Sequence, residues 1–203
     1  MEKLHSRCKK RTGEKHLTNE GYWVIITEYI AAKDCTIQFE DGVVLYNKYY
    51  LDIKKGLIRN PNRISMCGKG YVGEGKYKAI RKVKSYSTWA NMLQRCYSKT
   101  YHAKKPTYIE CYVTEEWLNF QNFAEWFEKN YNPEIMERWS LDKDILVKGN
   151  KVYSPETCCF VPYEINNKFT SRCTTKNYKE VADKYKNQIT QRTYQALIDR
   201  DEC

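Results

Sequence analysis

Six basic side chains, Lys69, Lys76, Lys78, Arg81, Lys82 and Lys84, crowd one short stretch that also carries glycines at 68, 70, 73 and 75. Cations at this density attract phosphates, and glycine lets a backbone approach them closely. The chemistry of a nucleotide-phosphate loop is excluded, because GKGYVGEGKYKAIRKVK lacks the required glycine-to-lysine spacing and no helix pattern follows directly. Two readings remain: a basic segment laid along a phosphate backbone, or a solvated linker between domains. Nine cysteines could in principle bind zinc or pair as disulfides. However, no Cys-x-x-Cys occurs, Cys158 and Cys159 are adjacent, and the number is odd, so the spacing predicts free thiols in a reducing compartment.

The run Trp139 to Thr170, WSLDKDILVKGNKVYSPETCCFVPYEINNKFT, concentrates more signals than any other. It reads as a strand, a turn-rich loop, a second strand and a helix. Ser154-Pro155-Glu156 sets a hydroxyl, a ring-fixed φ and an acid at consecutive helix-entry positions, which predicts a short turn inside the loop. Cys158-Cys159-Phe160-Val161 is an apolar run of strand length, and Pro162 opens a helix over Tyr163 to Asn167.

LDKD, the Gly149-Asn150 turn, YSPE and CFVP together resemble the HNH-type, ββα-metal nuclease module of phage-encoded endonucleases. The resemblance implies that Asp142 falls on the acid that holds a divalent metal, magnesium or a similar hard ion. It places Asn166 or Asn167 on the helix ligand and Lys143 on the histidine that activates water. Imidazole accepts a proton near neutral pH, whereas an ordinary lysine is already protonated there. Asp142 and Asp144 on either side should hold Lys143 charged, and no histidine follows His102 to replace the missing base. The module is expected to be degenerate, leaning towards inactive as an enzyme.

The elements around this run are expected to form an α+β chain. From Gly21 to about Pro61, Tyr22 to Ile26, Thr36 to Glu40 and Val43 to Tyr46 read as strands around an Asp41-Gly42 hairpin. With no room seen for a helix, they predict a small SH3-like barrel. The face Trp89, Leu93 and Cys96 predicts a helix over 86–97. The stripe Trp117, Phe120, Ala124 and Phe127 predicts another over 115–131, capped by Thr114. Together they make a helical platform for the degenerate ββα unit. The expected organisation is a basic segment at 1–17, the barrel at 18–64, the Gly/Lys-rich linker at 65–85, the HNH-like domain at 86–170 and a helical tail at 171–203. The helix pair and the barrel signatures extend the resemblance to roughly Gly13 to Phe169. The family commonly adds a small DNA-reading domain after that point, but TSRCTTKN is too short to hold it, and only a tail of two helices follows.

Composition supports a folded but very polar chain, with five Trp and 18 Tyr among 203 residues and a formal charge of +10. Such charge suggests a nucleic acid or another polyanion. No run approaches 18 apolar residues, and the N-terminus is charged where a signal peptide needs an apolar centre, so a cytoplasmic protein with no membrane partner is expected. The combined reading is a nucleic-acid-binding protein derived from an HNH endonuclease, gripping phosphates through Lys69 to Lys84 and the face of Lys143, Lys148 and Lys151. The alternatives are a metal-dependent nickase using Asp142 and Asn166, and a phage effector directed at a host defence protein, such as a CRISPR inhibitor.

Overall fold

A computed structural model describes residues 11–168 and 177–201. The chain divides into two compact units, Met1–Arg63 and Ile64–Cys203. All of TSRCTTKN except Asn177, and most of the basic N-terminal stretch, lie outside the described residues. Among the described residues no helix is long and apolar enough to cross a membrane.

In the first unit, strands β1 (Lys15–Leu17), β2 (Trp23–Ala31), β3 (Asp34–Phe39) and β4 (Val44–Lys48) form an antiparallel sheet in sequence order. Alternation along β2 and β3 sends Val24, Ile26, Cys35, Ile37 and Phe39 to one face, where Leu45, Ile53 and Ile58 cover them. The expected closed barrel is not found among the described residues: the sheet stays open. After β4 the chain turns into a short helix, α1 (Tyr50–Lys54), where the sequence reading left no room for one. Its Ile53 plugs the sheet, so a helix supplies the cover that closure would otherwise provide.

The second unit has its own core, built on α2 (Lys84–Tyr97). Trp89 and Leu93 are fully buried, and the Trp89 indole N–H donates to the Trp117 carbonyl at 2.7 Å. Fully burying a side chain of this class contributes roughly 2–3 kcal/mol. A second short helix, α3 (Lys99–Lys104), and strand β7 (Tyr112–Val113) follow. The predicted helix over 115–131 is two helices, α4 (Glu115–Leu118) and α5 (Phe120–Asn130). The break at Asn119 has a local cause: its backbone is extended, it bridges Tyr71, and its side chain accepts from the Gln121 N–H at 2.9 Å. Thr114 makes no side-chain cap, yet the apolar stripe Trp117, Phe120, Ala124 and Phe127 is buried throughout.

The glycine-rich stretch contributes a small hairpin, β5 (Ile64–Met66) with β6 (Gly70–Tyr71), and is pinned to this core. A Cβ at Gly70 would overlap Leu93 and Trp89. At Gly73, whose φ is +73°, one would overlap the Asn119 amide. The Gln121 side chain donates to the carbonyls of Val72 at 3.2 Å and Tyr77 at 3.0 Å and accepts from the Tyr77 N–H at 3.0 Å. The first half of the expected linker is therefore packed structure.

Strands β8 (Ser140–Asp142) and β10 (Cys159–Val161) pair antiparallel, with Asp142 opposite Cys159. Between them, β9 (Val152–Tyr153) pairs in parallel with β7. Helix α6 (Tyr163–Lys168) follows β10 and packs on β8. Helices α7 (Tyr178–Lys184) and α8 (Gln191–Asp201) pack on each other, and the Thr190 hydroxyl accepts from the Thr193 N–H at 3.1 Å at the second helix's start.

Candidate functional site

The loop from Asp142 to Lys151 is held by three side chains turned onto its own backbone. Strand β8 ends at Asp142, whose Oδ1 accepts from the Asp144 N–H at 2.7 Å and the Ile145 N–H at 2.8 Å. Asp142 therefore starts the turn. Burial pushes its carboxyl above the ordinary aspartate value, the two N–H groups pull it back, and the Asp144 charge adds to the rise.

Lys143 points into the loop. It is 6% exposed, and its ammonium donates to Asp144 Oδ1 at 2.7 Å, Asp144 Oδ2 at 2.8 Å and the Asn150 carbonyl at 2.8 Å. An ammonium has three N–H donors, so these acceptors saturate it. The rings of Tyr108 and Tyr153 also flank it, each centroid 5.9 Å from Nζ. Burial alone would lower its pKa, but the Asp144 carboxylate more than reverses this, and the group stays above the ordinary lysine value. A permanently protonated, saturated ammonium cannot accept a proton from water, nor does it face a phosphate in solvent.

Asn150 completes the loop. Its amide donates to the Lys143 carbonyl at 2.7 Å and the Val152 carbonyl at 2.6 Å, while its Oδ1 accepts from the Val152 N–H at 3.1 Å. Asn150→Ala removes all three and is expected to destabilise this unit by about 2 kcal/mol, since the Lys143 carbonyl and the Val152 N–H lose their side-chain partner while the Val152 carbonyl keeps the Thr157 hydroxyl at 2.8 Å. A fall of the thermal midpoint by several degrees checks this; an unchanged midpoint would remove the clamp. Across the same loop, the Arg200 guanidinium from α8 donates to the carbonyls of Asp144 and Ile145.

Asp142 spends Oδ1 on the turn, and Asn166 lies half-buried on α6 with its backbone N–H on the Pro162 carbonyl at 3.1 Å. Among the described residues, no group of three or more His, Cys, Asp or Glu side chains converges as a metal would need. Burial pushes the Cys96 and Cys159 thiols up to about 12, leaving these two protonated at neutral pH.

Apart from Lys143, the predicted phosphate-contacting residues are all exposed and divide by their partners. Lys69, Lys78, Arg81 and Lys82 are exposed. Lys76 is exposed too but sits 3.0 Å from Glu128, and Lys84 donates to the Glu137 carbonyl at 3.0 Å. Lys148 is exposed, and Lys151 lies 3.5 Å from Glu110. The face expected around Lys143, Lys148 and Lys151 thus loses its first member to the loop interior. Sequence reasoning missed Asn150 as a clamp and also Arg95, which α2 places half-buried beside the Tyr153 and Tyr108 phenols. Compared with models of known protein families, with curated proteins and with solved structures, the chain has no significant match.

Proposed function

We propose that this chain binds nucleic acid through phosphate contacts, on the shell of an HNH-type endonuclease module that does not cut efficiently. The carrying observation is the inward, saturated ammonium of Lys143, at the position where the resembling family activates water. Asp142 serves the turn in place of a metal, which supports the same reading. For binding, the support is the formal charge of +10 together with the exposed Lys69, Lys78, Arg81 and Lys82 on a segment whose first half is anchored to the core. Lys69 sits on the anchored half, where charge loses less entropy on meeting a phosphate backbone than charge on a free linker, and Lys78, Arg81 and Lys82 follow directly after the Tyr77 anchor.

Salt titration of duplex DNA binding tests this directly. Four phosphates neutralised by these four side chains predict a log–log slope of about −3 to −4. Replacing all four by Gln should flatten that slope and weaken binding on every sequence alike. Binding indifferent to salt would overturn the proposal, and magnesium-dependent nicking by the wild-type chain would favour a nickase instead.

A further inference from the structure

We propose that the cleft between α2 and β8 is a binding site for one phosphate group. On α2, Lys84, Thr88, Asn91 and Arg95 recur at i, i+4, i+7 and i+11, which places them along a single helical face. The adjoining face, with Ser85, Trp89, Met92 and Cys96, is buried in the core, and Met92 also borders the cleft. The polar face and Ser140 of β8 line a cavity of about 170 Å³. Two cations and three neutral hydrogen-bonding side chains therefore line one small cleft with Met92, Trp139 and Leu141, and no carboxylate lines it.

This set matches a phosphate better than other ligands. Hydroxyls, an amide, an ammonium and a guanidinium together offer donors around a tetrahedral oxyanion, and Arg suits its planar edge. Lys84 spends one N–H on the Glu137 carbonyl, so two remain to be shared, and Arg95, which also borders the Tyr153 phenol, brings the rest of its five N–H groups. α2 also begins at Lys84 with no side-chain cap, and the positive end of its dipole adds to the same field. Asp142 follows Ser140 on the same side of β8, but its Oδ1 is occupied by loop N–H groups. The volume is below that of sites for drug-sized ligands, so a base or sugar attached to the phosphate would remain outside.

A phosphate could come from a nucleic-acid backbone, in which case the cleft deepens the function proposed above and rests on it, or from free anion. Asn91 is exposed, so Asn91→Asp introduces a like charge at the cleft mouth with little effect on folding; Lys84→Gln removes a cation from the same place. With the full chain, NMR titration with inorganic phosphate is expected to shift the Asn91 and Ser140 amides saturably, and Asn91→Asp should abolish that shift. In parallel, oligonucleotide binding followed by anisotropy should weaken about tenfold or more in Asn91→Asp. Phosphate-induced shifts with unaltered oligonucleotide affinity would assign the cleft to free anion. Saturable shifts in a chain that binds no oligonucleotide would leave the cleft standing while the nucleic-acid function fails. Absence of saturable phosphate shifts in the wild type, with oligonucleotide affinity equal in wild type and both variants, overturns the site.

Discussion

Lys143→Met is expected to destabilise the Ile64–Cys203 unit by about 3 kcal/mol, although methionine nearly matches the length of the lysine stem. The substitution leaves the Asn150 carbonyl without its donor and Asp144 without its cation. The estimate sits at the low end for breaking a buried pair, because the Asp144 side chain is 41% exposed and can be rehydrated. Four of the five tryptophans, Trp89, Trp117, Trp126 and Trp139, belong to this unit, so urea unfolding followed by their fluorescence reports on it. The folded pKa of Lys143 lies above the unfolded value of about 10.4, so its contribution is complete below that pH and fades only as pH rises through the folded pKa. A Lys143→Met chain as stable as wild type at pH 7 would show the ammonium to be a surface charge, and would reopen its use as a phosphate contact.

Why the sequence did not reveal this is a matter of competing partners. Lys143 has Asp142 and Asp144 as equal neighbours, and only the turn that Asp142 builds decides that Asp144 and Asn150 meet the ammonium. The buried aromatic stripes were legible because helical period alone fixes them: Trp89, Leu93 and Cys96 are buried as read, as are Trp117, Phe120, Ala124 and Phe127. Period does not reveal an interruption set by another segment, and Asn119 breaks its helix because Tyr71 pairs with it from some fifty residues earlier. Sheet closure was illegible for a similar reason, since the strands were visible but the five-residue helix over Tyr50–Lys54 carries too little pattern to announce itself. The glycines between 68 and 75 look like flexibility in a sequence; in the fold, Gly70 and Gly73 mark where the chain must pass close to Trp89 and Asn119. The polar stripe Lys84, Thr88, Asn91 and Arg95 was readable by the same period as the core stripe, but nothing in the sequence says that β8 lies across it.

Asp142→Ala is expected to cost about 3 kcal/mol, whereas Asp142→Asn keeps the fold. Alanine strands the Asp144 and Ile145 N–H groups inside the turn, while asparagine retains an Oδ1 that can accept from both. The charge itself works against the fold. Because burial raises the Asp142 pKa above the ordinary aspartate value of about 3.9, stability from this group is fully present below that pH and lost as pH rises through the folded pKa. The stability of Asp142→Asn relative to wild type should therefore increase as pH rises from 4 towards neutrality, and urea midpoints measured across that range check the sign. A midpoint for Asp142→Ala equal to wild type would dismiss the turn. The same pair of variants bears on cutting: activity lost only in Asp142→Ala would follow from a loosened loop, so a nicking comparison identifies a metal ligand only if Asp142→Asn is inactive while folded. Equal behaviour of wild type and Asp142→Asn, with and without magnesium, is the result expected of a carboxylate that shapes a loop and holds no ion.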